Sequence, residues 1–306
     1  MKHYIDFYRD LSIDDLKNIL ELAEDLKKKT KAGIPHPLLQ GKTLGMIFSK
    51  SSTRTRVAFE VAMYQLGGHA LFLSANDIQL GRGETVSDTA QVLSRMLDGI
   101  MIRTFAHKDV EDLAKYGSIP IINGLTDDQH PTQVLAGLLT IKEHKGTLKG
   151  LKLSYVGDGN NMANSLIQAC AKAGMHITVA SPEEYSCPDF FVEQGKADAS
   201  KTGGSVFMTT DPVAAVKDAD VVYTDTWTSM GQEEEKEKRV AIFGKYQVNK
   251  NLLSYAKKDA IFLHCLPAYR GYEVTEDVID SPCSVVFDEA ENRLHAHKAI
   301  LVHCLS

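Results

Sequence analysis

No apolar stretch in the 306 residues approaches the ~20 needed to cross a bilayer. The opening residues, Met1-Lys2-His3-Tyr4-Ile5-Asp6, lack the apolar core of a signal peptide. There is no C-x-x-C pair either. The five cysteines (Cys170, Cys187, Cys265, Cys283 and Cys304) are odd in number and scattered, so they cannot all pair internally. That pattern suits a reducing, cytoplasmic setting. A basic excess is also missing: 34 Lys and Arg stand against 40 Asp and Glu, a formal net charge of −6, which leaves no footprint for nucleic acid. Nor is there an internal repeat or a low-complexity tract. What remains is an ordinary soluble composition, long enough for two α/β halves.

The pattern along the chain supports two halves. Residues 11–28 carry Leu16, Ile19, Leu20 and Ala23 at helical spacing, with Asp14 and Asp15 near the start. Short apolar runs at 43–48, 70–73, 99–102 and 119–122 read as buried strands, with helices at 57–66, 85–97, 110–116 and 132–141 between them. A polar segment, 142–150, precedes a second run of the same rhythm. Its strands are expected at 151–156, 176–180, 205–208, 221–224 and 261–264, with a clear helix at 164–173. The charged stretch 232–239 reads as a solvated face, and 294–305 as a helix docked on the body. Such alternation predicts two doubly wound parallel-sheet domains with helices on both faces. The boundaries are placed at 1–145 with 290–306, and at 146–289.

Residues 51–56 read Ser-Ser-Thr-Arg-Thr-Arg, between the first strand and the helix it leads into. Hydroxyls, two guanidiniums and a helix N-terminus thus converge at the carboxyl end of a strand. Unpaired N–H groups and the positive end of the dipole favour an anion there. Arginine's planar fork fits phosphate oxygens two at a time. A plain Ser/Thr cap followed by solvated arginines is the structural alternative. Cations in a first turn oppose the dipole unless an anion is present, so a small phosphorylated ligand is expected.

Ligands of open parallel sheets bind at the carboxyl ends of the strands. Polar residues follow each strand here: Arg103; Asn123-Gly124 and then His130-Pro131-Thr132-Gln133; Asp225-Thr226-Trp227-Thr228-Ser229-Met230-Gly231; and His264-Cys265-Leu266-Pro267. Taken singly, Arg103 could equally be a salt-bridged edge residue and His130 a helix-start histidine. A lone Cys265 is more often a small buried hydrophobe than a nucleophile. His295 and His297 sit at a spacing that turns two helical rings apart, and no acidic or thiol set accompanies them. No metal and no cofactor are expected.

Gly157-Asp158-Gly159-Asn160-Asn161-Met162 begins like a dinucleotide fingerprint. Met162 replaces its third glycine, and residues 175–181 contain no ribose-binding acid. A nicotinamide-dependent oxidoreductase is therefore the weaker alternative. Asn160 and Asn161 instead offer amides suited to the carboxylate and amine of an amino acid.

Together, Ser-Thr-Arg-Thr-Arg at 52–56, His-Pro-Thr-Gln at 130–133, Asp-Thr-Trp-Thr-Ser-Met-Gly at 225–231 and His-Cys-Leu-Pro at 264–267 resemble the aspartate/ornithine carbamoyltransferase family. The last two motifs resemble its ornithine branch. The resemblance implies a carbamoyl-phosphate-binding first domain, an amino-acid-binding second domain and a final helix packed back on the first. It implies transfer of a carbamoyl group to the side-chain amine of ornithine, in arginine biosynthesis. By the same resemblance, Ser52, Thr53, Arg54, Thr55 and Arg103 hold the phosphate. Thr55, Arg103 and His130 polarise the carbamoyl carbonyl. Gln133 and the backbone near Cys265 and Leu266 receive its NH2, and Arg293 completes this side. Gln79 matches a residue reaching in from a neighbouring subunit, which implies a homotrimer. Asn161, Asp225, Ser229 and Met230 match the residues that hold ornithine, with Cys265 orienting rather than attacking. The loop 80–84 has no lysine, which fits ornithine better than aspartate. Putrescine or acetylornithine as acceptor, and the reverse, arginine-degrading direction, are the near alternatives.

Overall fold

A computed structural model of the chain describes residues 1–228, 231 and 233–306. Two compact units divide it. The first, Met1–Leu139 with Glu291–Ser306, holds β1 (Thr43–Phe48), β2 (His69–Ser74), β3 (Gly99–Arg103) and β4 (Ile121–Leu125). Its helices are α1 (Ile13–Lys31), α2 (Thr53–Gln65), α3 (Val86–Leu93), α4 (His107–Tyr116) and the first part of α5 (Pro131–Lys145). The second, Thr140–Ala290, holds β5 (Lys152–Val156), β6 (His176–Ala180), β7 (Ser205–Thr209), β8 (Val221–Thr224) and β9 (Ile261–His264). Its helices are α6 (Asn161–Lys172), α7 (Asp189–Thr202), α8 (Pro212–Val216), α9 (Lys236–Phe243), α10 (Lys250–Leu253) and α11 (Glu276–Ile279). α12 (Val286–Leu305) begins in the second unit and ends in the first.

Every strand pair is parallel, in the orders β2-β1-β3-β4 and β7-β6-β5-β8-β9. The α/β class and the two parallel sheets are as the sequence predicts. Central strands are fully buried because helices connect parallel neighbours. The first core gathers Ile47, Ile100, Ile102, Val110, Leu113 and Ile121. The second gathers Val156, Val222, Trp227, Phe243, Tyr246 and Phe262. β2 and β7, by contrast, are edge strands and only half-buried: Leu71 and Phe72 are each 38 % exposed and Phe207 is 60 % exposed. The expectation of a buried strand at 70–73 is corrected at β2.

Three helices begin about a turn earlier than apolar spacing suggests, at Thr53, His107 and Asn161; in the first two the opening turn is polar. α7 is absent from the sequence reading. Gly195 at its centre packs against Ile167, and the buried Asp198 pairs with Lys172 at 3.1 Å, so its inner face is not an apolar stripe. The stretch 232–239 is not a solvated face throughout. Arg239 is buried, its Nη1 donating to Asp158 at 2.8 Å and to the Trp227 carbonyl at 2.9 Å.

α12 packs on the first unit through two successive rungs. Arg293 Nη2 donates to Thr55 Oγ1 at 2.7 Å, and one turn later the His297 ring stacks on Phe59 with centroids 4.0 Å apart. His297 is fully buried, and among the described residues neither ring nitrogen meets a hydrogen-bond partner. Burial, with Arg293 adding, holds its pKa well below the ordinary 6.5. Such a group is neutral in the fold but gains a proton when the chain unfolds at acid pH. Stability is therefore lost as pH falls below 6.5, by about 1.4 kcal/mol per pH unit. His297→Phe keeps the stack and removes both unpaired nitrogens. Urea unfolding is expected to show a gain of about 1–3 kcal/mol, larger at about pH 5.5 than at pH 8. An equal gain at both would contradict a buried neutral His297.

Candidate active site

In the first sheet the strand order reverses between β1 and β3, and the chain segments leaving those two strands carry the phosphate motif and Arg103. Such a switch point opens a crevice outside the strand ends. Ser49 and Lys50 donate their backbone N–H groups to the Arg103 carbonyl at 2.8 and 3.4 Å, which ties the two ends together. Ser52 is the N-cap of α2, its hydroxyl accepting the Thr55 N–H at 3.1 Å. Thr53 is exposed, Arg54 half-buried and Thr55 fully buried, the last held by Arg293. Arg103, His130, Gln133 and Arg293 are all buried.

Not every polar residue of this end belongs to the cluster. Arg56 pairs with Glu60 at 2.9 Å and lies 3.7 Å over the Phe72 ring, so its guanidinium is already engaged. Lys50, which the sequence reading passes over, is buried and its ammonium meets Asp127 at 2.5 Å. Asn123 lies inside β4 and donates its side-chain amide to the Ile5 carbonyl at 3.0 Å. It is a structural residue. Gln79 is exposed at the start of a short 3-10 turn.

His130 immediately precedes Pro131, the first residue of α5, where a missing N–H costs nothing. Burial, followed by the charges of Arg293, Arg103 and Arg54 and the proximity of His297, keeps its pKa well below 6.5. A neutral imidazole can donate a hydrogen bond to a carbonyl oxygen while adding no cation to a site already rich in them.

The second sheet reverses between β5 and β8. Gly157–Asn161 follows β5 and Asp225 follows β8. Asp225 is 7 % exposed and fully clothed. Its Oδ1 accepts the Cys265 thiol at 2.9 Å and the Thr226 N–H at 2.7 Å, and its Oδ2 accepts from Asn160 Nδ2 at 2.9 Å. Asn160 Oδ1 meanwhile caps α6, accepting from Met162 N and Ala163 N at 3.0 and 3.3 Å. Asn160 is therefore a holder of Asp225, and the neighbouring Asn161 is half-buried. Burial, with Asp225 and Glu235 adding, pushes the neighbouring Asp158 carboxyl up to about 6 against the pull of Arg239. Ser229 and Met230 lie outside the described residues.

A side chain added at Gly159 would collide with the backbone of Tyr185, Ser186 and Cys187. The space a dinucleotide's pyrophosphate needs beside the second glycine of its fingerprint is filled by the chain itself, so the oxidoreductase alternative is set aside. Asp225, His264 and Cys265 do place one possible metal-ligand atom each within 4.8 Å of one another. His264, however, uses both ring nitrogens, on Leu266 N and Glu273, and the thiol and carboxylate satisfy each other. The donor set is closed as a hydrogen-bonded network.

Residues 2–143 match the family model described as aspartate/ornithine carbamoyltransferase, carbamoyl-P binding domain. Residues 149–304 match that family's Asp/Orn binding domain. The chain belongs to the aspartate/ornithine carbamoyltransferase family. Within it, the chain is 58 % identical over 302 residues to the ornithine carbamoyltransferase of Caldicellulosiruptor saccharolyticus, covering 99 % of this chain and 98 % of that one. It is 59 % identical over 293 residues to a Pyrococcus furiosus protein named ornithine carbamoyltransferase, anabolic, covering 96 % and 93 %. The solved ornithine carbamoyltransferase from Pyrococcus furiosus superposes with a TM-score of 0.96 at 56 % identity, covering 99 % and 97 %. The anabolic enzyme from Campylobacter jejuni gives 0.93 at 44 % identity, covering 99 % of each chain. As a carbamoyltransferase-family chain it brings Ser52, Thr53, Arg54, Thr55, Arg103, His130, Gln133 and Arg293 into one unit, and Asn161, Asp225, Cys265 and Leu266 into the other.

Proposed function

We propose that the protein transfers the carbamoyl group of carbamoyl phosphate to the side-chain amine of L-ornithine, giving L-citrulline and phosphate, in the direction of arginine synthesis. The observation that carries this reading is the pair of switch points. One gathers hydroxyls, helix N–H groups and guanidiniums suited to phosphate, and the other holds a buried carboxylate bonded to a thiol. The relatives named ornithine carbamoyltransferase, one of them anabolic, support the choice of acceptor and direction.

In this reading Ser52, Thr53, Arg54, Thr55 and Arg103 bind the phosphoryl oxygens. Thr55, Arg103 and neutral His130 donate to the carbamoyl carbonyl, while Gln133 and the Cys265–Leu266 backbone accept from its NH2. Arg293 steadies Thr55. Asn161, Asp225, Ser229 and Met230 hold ornithine, and Cys265 orients it beside Asp225. A lysine-like amine has an unperturbed pKa of roughly 10.4 and must lose its proton to attack. Partial removal from water favours the neutral form. Its nitrogen then attacks the carbamoyl carbon, the bond from that carbon to the phosphate oxygen breaks, and the amine's remaining excess proton leaves with phosphate. Fixed donors aimed at the developing oxyanion are the main source of acceleration. No covalent intermediate is needed.

The active unit is a homotrimer in which Gln79 of one subunit completes a neighbour's phosphate site. The half-exposed edge strand β2, with Val57 and Tyr64 exposed on α2, supports an apolar interface on this unit. A sedimenting mass of three chains is expected, and a single-chain mass counts against it. The function itself is tested with purified protein: citrulline and phosphate should appear one to one from ornithine and carbamoyl phosphate. Phosphate without citrulline would reject the transfer.

A further inference from the structure

The turn after β9 carries Cys265 and Leu266, and Leu266 stands at φ +56°, a region that bulky L-residues rarely adopt. Its own N–H is held by His264 Nδ1 at 2.9 Å. A ring nitrogen that accepts carries no proton, so the hydrogen of this neutral imidazole lies on Nε2. There it meets Glu273 Oε1 at 3.2 Å. The same oxygen accepts the Tyr269 N–H at 2.6 Å, closing the turn from its far side. His264 and Glu273 are completely buried, at 0 % and 1 % exposure. Glu273 is itself anchored, since its carbonyl accepts the Val248 N–H at 2.9 Å and the adjacent Val274 is fully buried.

We infer that Glu273 is a positioning residue for the transfer reaction: it fixes the His264 tautomer that holds the Leu266 backbone, and so sets the turn that presents Cys265 to Asp225. The mechanism above gives Glu273 no contact with substrate, and the inference rests on that mechanism for the importance of Cys265 and Leu266. The tautomer is the link. Were the ring proton to move to Nδ1, it would point at the Leu266 N–H, and two donors would face each other. A carboxylate at Nε2 forbids that, as second-layer partners commonly do for histidines at reactive centres.

The test compares Glu273→Gln with Glu273→Leu in the full-length protein. Glutamine retains an oxygen that accepts both hydrogens, and leucine retains only the bulk. Glu273→Leu is expected to lower kcat/KM for citrulline formation at least about tenfold, and Glu273→Gln to stay within about threefold of the unaltered protein. Alkylation of Cys265 by iodoacetamide gives a second readout, resolved by peptide, with the partly exposed Cys283 as internal reference. The Cys265-to-Cys283 rate ratio should change by about threefold or more in Glu273→Leu and hold in Glu273→Gln. Equal behaviour of the two variants, or an unchanged ratio in Glu273→Leu, overturns the inference. Should Glu273→Leu not accumulate folded, His264→Asn and His264→Leu read the same link, because asparagine keeps an acceptor for the N–H two residues on. The expected thiol response supports the role of Glu273 even where the unaltered protein forms no citrulline, a failure that would fall on the proposed function alone.

Discussion

Arg54→Ala is expected to lower citrulline formation by about 10²- to 10⁴-fold, with the fold intact. Two charge-assisted hydrogen bonds to phosphate, each contributing about 1.5–3 kcal/mol, are lost, at a tenfold rate change per 1.36 kcal/mol. Arg54 lies in the first turn of α2, half-buried, beside the cap that Ser52 makes on Thr55. The helix therefore keeps its capping hydrogen bond when the guanidinium is removed. Arg56→Ala provides the contrast. Its guanidinium is spent on Glu60 and Phe72, so turnover should change little. Initial rates for both variants at saturating ornithine check this, and near-normal turnover in Arg54→Ala would remove the phosphate site from where it is placed.

Asp225→Asn is the counterpart in the second unit. Asparagine keeps one oxygen for the Cys265 thiol and the Thr226 N–H but turns an amide toward Asn160 Nδ2. Asn160 cannot simply flip, because its oxygen caps α6. A buried donor is left unpaired, costing about 1–3 kcal/mol, and the charge that would attract an ornithine ammonium is lost, costing about 1.5–3 kcal/mol more. The unpaired donor lowers stability in the free and the bound protein alike, whereas the lost charge should lower kcat/KM for ornithine by about 10- to 10²-fold. Carbamoyl phosphate binding, followed separately by calorimetry, should change by less than about threefold. Equal losses on both substrates would mean that Asp225 supports the fold rather than the acceptor.

How much of this is written in the sequence depends on what each residue type is used for. Central strands such as β1, β3 and β8 are legible as apolar runs, because strands of a parallel sheet are buried on both faces. Helix starts are legible only by the first apolar residue, so α2 reads late: its first turn, Thr53–Arg56, is polar. β4 reads short for the same reason, since Asn123 and Gly124 break the run while staying inside the strand. The polar residues at strand ends were visible as a set, but not which of them are occupied structurally. Asn160, Asn123 and Arg56 each look chemically capable, and each meets a partner far away in sequence: Asp225, the Ile5 carbonyl and the Phe72 ring. The His264–Glu273 link is illegible for a similar reason. The two residues are joined through a turn whose backbone conformation no local motif announces.

The most direct test of the account supplies carbamoyl phosphate with ornithine, acetylornithine, putrescine or aspartate in parallel and follows phosphate release and the carbamoylated product. Release with ornithine alone is the result predicted from Asp225, Cys265 and the loop without lysine at 80–84. Release with another amine would leave the phosphate site standing and contradict the acceptor assignment, and release with none would contradict the transfer itself.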